Sequence, residues 1–147
     1  MKLNLNDTGW IVTENKGEDY NYQIRFRTFT EDTIITSEYP QRLNIFWTMK
    51  DVYDDGYPTP IEIEKLHEFE NRLIEATEYD NFSIMSMVLT GNGQREFVFH
   101  INNQNEFIKR LTNMPQNKEK YPIEIESAKD THWDYYYNDF NNEVFAV

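Results

Sequence analysis

The sequence predicts an α+β fold: a ferredoxin-like βαββαβ sandwich with an added N-terminal β-hairpin, its two helices packed on an antiparallel sheet. Three observations predict it. Apolar and polar residues alternate on both sides of Gly91-Asn92-Gly93, the pattern of two strands joined by a tight turn. Two other stretches repeat apolar residues at three- and four-residue spacing, the period of a helix lying on a core. From Arg42 onward the segments run strand, helix, strand, strand, helix, strand, the order of a split βαβ unit.

Taken in order, Trp10 to Glu14 and Tyr20 to Thr28 read as two strands joined by the polar turn Asn15-Lys16-Gly17-Glu18-Asp19. In the second of them Tyr22, Ile24 and Phe26 are expected to face the core, and Gln23, Arg25 and Arg27 the solvent. Phe29 to Pro40 is a connection with room for one helical turn, closed by the proline. Arg42 to Lys50 is a strand with Leu43, Ile45 and Trp47 on one face, and Asp51 to Pro60, punctuated by glycine and two prolines, is a loop.

Thr59-Pro60-Ile61-Glu62 then combines a capping hydroxyl, a proline at the first helical position and an acid three residues after the cap, so a helix begins here and is expected to end near Tyr79. Its stripe is Leu66, Phe69, Leu73 and Ala76, and its opposite side is mainly glutamate. In the central hairpin, Phe82, Ile84 and Val88 alternate with Ser83, Ser86 and Thr90 on the first arm. On the second arm Phe97, Phe99 and Ile101 alternate with Glu96, Val98 and His100. Asn103 caps a second helix carrying Phe107, Ile108, Leu111 and Met114, which Pro115 ends. Tyr121, Ile123 and Ile125 mark a last strand, placed at the sheet edge by Pro122.

The chain of 147 residues fits a single domain spanning 1–147, with 130–147 an aromatic and acidic C-terminal tail. Ten Phe, ten Tyr and three Trp can fill its core. Absence of cysteine excludes disulfides, thiolate metal sites and a cysteine nucleophile. No stretch has the roughly 18 apolar residues of a membrane span and no apolar signal core follows Met1, so a soluble cytoplasmic protein is expected. Twenty-six acidic against fourteen basic residues give a net charge of −12, which repels nucleic-acid phosphates and anionic lipid. That charge serves solubility or attracts a basic partner.

No motif identifies a reaction. His67-Glu68-Phe69-Glu70-Asn71 begins like a zinc-protease helix, but Asn71 stands where the second histidine is needed. Gly91-Asn92-Gly93-Gln94-Arg95-Glu96 lacks the third glycine of a dinucleotide loop and is followed by a strand. Glu96 and His100 share a strand face, on which an acid-base pair can be drawn, although an exposed sheet face gives the same pattern. Neither a cofactor nor a metal site is expected; Asp54-Asp55-Gly56 with Asp51 is the nearest approach to a calcium loop.

Two segments mix acids with aromatics, the composition of an interface in which aromatic anchors are rimmed by charge. One is the loop carrying Asp51, Tyr53, Asp54, Asp55 and Tyr57; the other is the tail carrying Trp133, Asp134, Tyr135 and Asp139. In the tail, Trp133, Tyr136 or Tyr137, Phe140 and Val144 also fall at helical spacing, which suits a terminal turn packed on the core.

Several landmarks resemble the bacterial domain-of-unknown-function family 695: Tyr39-Pro40 before the strand with Ile45 and Trp47, Gly56-Tyr57-Pro58 before the helix, Thr90-Gly91-Asn92-Gly93 followed by Arg95-Glu96-Phe97, Tyr121-Pro122, and Asp130 with Trp133 and Tyr136. The resemblance covers about Trp10 to Tyr137. It implies an α+β sandwich and no established catalytic residues. That fold is similar to the regulator B type of ribonuclease E inhibitors, and small acidic bacterial proteins are often immunity proteins that block a toxin nuclease. The expectation is a non-enzymatic inhibitor whose acids pair with the Lys or Arg of a basic toxin nuclease. The alternatives are a small hydrolase or nucleotide-handling enzyme using His100 with Glu96, and a scaffold or homodimer formed through the edge strand near Tyr121 to Ser127.

Overall fold

The computed structural model describes residues 9–29, 36–116 and 119–137. Its elements are β1 (Gly9–Lys16), β2 (Asn21–Thr28), a 3-10 turn (Thr36–Glu38), β3 (Gln41–Thr48), α1 (Pro60–Thr77), β4 (Ser83–Gly91), β5 (Gln94–Ile101), α2 (Gln104–Thr112) and β6 (Ile123–Lys129). The strands form one antiparallel six-stranded sheet in the order β1-β2-β4-β5-β3-β6. From β6 to β4 that order is compatible with the expected ferredoxin-like arrangement, and the N-terminal hairpin extends the sheet beyond β4. The last strand lies at an edge and starts just after Pro122, which therefore costs no ladder hydrogen bond.

The turn between β4 and β5 takes the expected form. Asn92 (φ 52°) and Gly93 (φ 75°) both lie in the left-handed region, as a primed turn requires.

Each face of the sheet has its own apolar layer. On one, Leu43, Ile45, Trp47, Phe97, Phe99 and Ile101 meet Leu66, Phe69 and Leu73 of α1 and Phe107 and Leu111 of α2. On the other, Ile24, Phe26, Ile84, Met87 and Val98 meet Tyr39, Trp133 and Tyr136, so the C-terminal segment covers the face left open by the helices. A bulge between Met85 and Met87 redistributes β4 between these layers. Ile84 and Val88, expected together, consequently face opposite sides.

The helix-side layer is less apolar at its β2 end than alternation alone implies. Arg25 and Arg27, expected in solvent, turn beneath α1: Arg25 pairs with Glu70, and Arg27 with Glu78 through Nη1 at 2.8 and 3.0 Å. Trp10 lies against both guanidinium groups, 4.9 Å from that of Arg25 and 5.2 Å from that of Arg27. Arg95 is buried beside them; desolvation and the Arg25 charge, partly offset by Glu70, bring it down to about 10. Glutamates of α1 thus serve the interior as well as the outer side.

The two helix starts differ. Asn103 caps α2 by accepting from the Glu106 amide at 3.0 Å, as expected. Thr59 makes no side-chain cap to α1; its hydroxyl donates to the Asp51 carbonyl, and Glu62 turns inward.

Candidate functional site

The loop after β3 is built as a miniature hairpin. Val52 bridges Pro58, Tyr53 N–H donates to the Tyr57 carbonyl at 2.8 Å, and Gly56 N–H donates to the Tyr53 carbonyl at 2.9 Å. Asp55 spends one carboxylate oxygen on the Tyr57 amide at 3.0 Å, while Thr59 N–H closes the base onto the Asp51 carbonyl. The tip rests on the β4-β5 turn, where Gly93 N–H donates to the Gly56 carbonyl at 2.9 Å. Only glycine suits position 56: its φ is +86°, and a Cβ there would stand 2.9 Å from the Asn92 backbone.

This docking brings the loop beside the β1-β2 turn, and a groove of about 710 Å³ lies between them. Glu14, Glu18 and Asp19 line it from the hairpin, and Asp54 and Asp55 from the loop. Tyr20, Asn21, Tyr57 and Asn92 supply the remaining polar lining, and no lysine or arginine takes part. Burial raises the Tyr57 hydroxyl pKa, as do the charges of Glu14 and Asp55. That hydroxyl has no hydrogen-bond partner among the described residues. A second groove of about 300 Å³ adjoins at Tyr20 and is lined by Tyr22, Leu89, Gln94, Glu96 and Tyr135.

Asp54, Asp55 and Tyr57 of the expected contact residues therefore line the acidic groove, with Tyr53 exposed beside them. Asp51 anchors the base of the loop through its carbonyl. The tail divides. Tyr135 reaches the adjoining groove, its hydroxyl donating to Glu96 at 2.7 Å and its ring lying 4.1 Å from the Arg42 guanidinium. Asp134 is exposed, and Asp139 lies outside the described residues. Trp133 requires a correction: it is 0% exposed, so it belongs to the core and not to a contact surface. Its indole N–H donates to the Tyr39 carbonyl at 2.9 Å. The residues missed are Glu14, Glu18, Asp19 and Tyr20. Their signal was present, since the β1-β2 turn carries the same mixture of acids and tyrosine as the loop.

His100 also departs from expectation. It is fully buried under the C-terminal segment, and its partners are Ser86 Oγ at 3.0 Å from Nδ1 and Asp130 Oδ2 at 3.2 Å from Nε2. Burial lowers its pKa despite the hydrogen bond and charge of Asp130. The Asp130 carboxyl is below its ordinary value: burial raises it, but His100, the Asp134 amide and Arg42 together outweigh that effect. A neutral imidazole with its proton on Nε2 satisfies the network, donating to Asp130 and accepting from Ser86. Serine, histidine and aspartate are in line here, but Trp133 roofs the imidazole and none of the grooves described includes it. Glu96 is engaged elsewhere, by Asn44 at 2.6 Å and by Tyr135. The His100–Glu96 pair that could be drawn from the strand alternation does not form.

The described residues define an α+β protein with an antiparallel sheet sheathed on both faces and an acidic, tyrosine-lined groove at the hairpin-turn end. Among them, no helix is long and apolar enough to cross a membrane. The chain belongs to the family of unknown function DUF695, whose model matches residues 8–140. No curated protein and no solved structure matches it.

Proposed function

We propose that the protein is a non-enzymatic binding module that neutralises a basic protein partner, acting as an immunity protein toward a bacterial toxin nuclease by occupying its active-site cleft. The observation that carries this reading is the groove itself. Five carboxylates, from the β1-β2 hairpin and from the loop after β3, line it without a lysine or arginine among them, on a chain of net charge −12. Like charges brought together raise the free energy of the unbound protein, and a cationic partner relieves that repulsion while the same field accelerates encounter.

A nuclease cleft presents lysine and arginine to phosphates, and carboxylates spaced around a groove can take the places those phosphates would occupy. Asp54, Asp55, Glu18 and Asp19 supply the charge. Tyr20, Tyr53 and Tyr57 supply rigid contact area, and the unpartnered Tyr57 hydroxyl supplies a hydrogen bond. Simultaneous reversal of Asp54, Asp55 and Glu18 to lysine is expected to weaken binding at least a hundredfold and restore nuclease activity in the mixture. Unchanged inhibition by the triple variant, measured against the nuclease encoded beside it, would place the interface elsewhere.

A further inference from the structure

Glu62 occupies the third position of α1, from which a capping acid turns back toward the helix start. Here it points into the protein. Its Oε1 accepts the Lys50 backbone N–H at 2.9 Å and the Trp47 indole N–H at 3.4 Å. The residue is 1% exposed, and Oε2 is buried with no hydrogen-bond partner among the described residues. An acceptor left in that state is costly, so it marks a place where a donor from outside the chain would be stabilised.

Glu62 also lines a groove of about 440 Å³ between α1 and the segment leading into β6. Trp47 and Tyr121 form aromatic walls, their ring centroids 5.9 Å apart. Three lysines, Lys50, Lys65 and Lys120, stand against Glu62 and Glu119, which gives the groove a local excess of positive charge on a strongly acidic chain. One of them, Lys50, is 3.7 Å from Glu119; Lys65 and Lys120 are exposed. An apolar wall, an acceptor and a cationic rim therefore meet in a volume of the size that holds small ligands.

We infer that this groove binds a small molecule in which a planar ring carrying an N–H donor is joined to an anionic group. The ring packs against Trp47 and Tyr121, the N–H donates to Glu62 Oε2, and the anion meets Lys65 and Lys120. A purine nucleoside monophosphate and an indole carboxylate share this chemistry. None of the groove's lining residues belongs to the acidic groove, so the inference stands apart from the proposed partner.

The test titrates the full chain with guanosine monophosphate, adenosine monophosphate, indole-3-acetate and inorganic phosphate, by calorimetry and tryptophan fluorescence. At least one ring compound is expected to bind saturably at one site, and which one distinguishes nucleotide from aromatic carboxylate; phosphate alone is not. Glu62→Gln, which places an amide donor where the free acceptor stood, is expected to weaken binding at least tenfold. The double variant Lys65→Ala/Lys120→Ala is expected to weaken it and to flatten its salt dependence, and this exposed pair carries the test if Glu62→Gln does not fold. No saturable binding of any ring compound, equal binding of phosphate, or affinity unchanged in the variants would overturn the inference.

Discussion

The imidazole of His100 lies nearly parallel to the indole of Trp133, with ring centroids 3.9 Å apart and 15° between the planes. This stack fastens the C-terminal segment to the middle of the sheet. Trp133 holds a positive φ of 56°, a conformation that costs a bulky residue about 1–3 kcal/mol. Burial of the indole and its hydrogen bond to Tyr39 offset that cost. Trp133→Ala is expected to destabilise the fold by about 3–5 kcal/mol in urea unfolding. At temperatures where the variant remains folded, binding of the proposed basic partner should be close to normal, because Trp133 lines none of the three grooves.

Stability should fall on mild acidification. Burial holds the His100 pKa below 6.5, so in the window below about 6.5 the unfolded chain binds a proton that the folded chain refuses. Its contribution is fully present above pH 6.5 and is lost as pH falls through the depressed folded value, at up to about 1.4 kcal/mol per pH unit. Asp130, lowered from 3.8, adds loss only in a more acidic range. Calorimetric melting between pH 7.5 and 5.5 is expected to show this slope, and His100→Asn should remove most of it.

The Arg27–Glu78 pair is buried at both ends, and Glu78 also accepts the Met85 amide at 2.6 Å. Arg27→Met leaves a buried carboxylate without its cation and is expected to cost about 3–5 kcal/mol. The double variant Arg27→Met/Glu78→Met should recover much of that loss, as measured by a double-mutant cycle in urea.

The acidic loop depends on a backbone position. Gly56→Ala forces a side chain onto a φ of +86° and toward Asn92, so it is expected to destabilise by about 1–3 kcal/mol. Hydrogen exchange should locate the effect in the loop, through faster exchange at the Gly93 amide that Gly56 now accepts. Binding of the proposed basic partner should weaken with it.

Much of this architecture was readable from periodicity and punctuation. Asn92-Gly93 marked the central turn, Pro60 the start of α1 and Asn103 the cap of α2, because each solves a local backbone problem that the sequence exposes. Pairings made across the fold were not readable. Arg25 and Arg27 have the spacing of solvent-facing residues, and their partners Glu70 and Glu78 lie more than forty residues away. The β4 bulge moved Val88 to the opposite face from Ile84 without a glycine to announce it. The burial of His100 depended on a tail whose aromatic residues read equally well as contact surface or core. Half of the acidic groove was legible in Asp54, Asp55 and Tyr57; the other half needed the register that brings the β1-β2 turn alongside them.

The most direct measurement concerns the acidic groove. Tagged protein and its Asp54→Lys/Asp55→Lys/Glu18→Lys variant would each be used to capture proteins from cells expressing the neighbouring genes, at low and then moderate salt, and the captured protein assayed for nuclease activity before and after release. One basic protein is expected in stoichiometric amount, silent while bound, active once salt releases it, and not retained by the variant. No basic partner at either salt, or equal capture by both proteins, would contradict the proposed function.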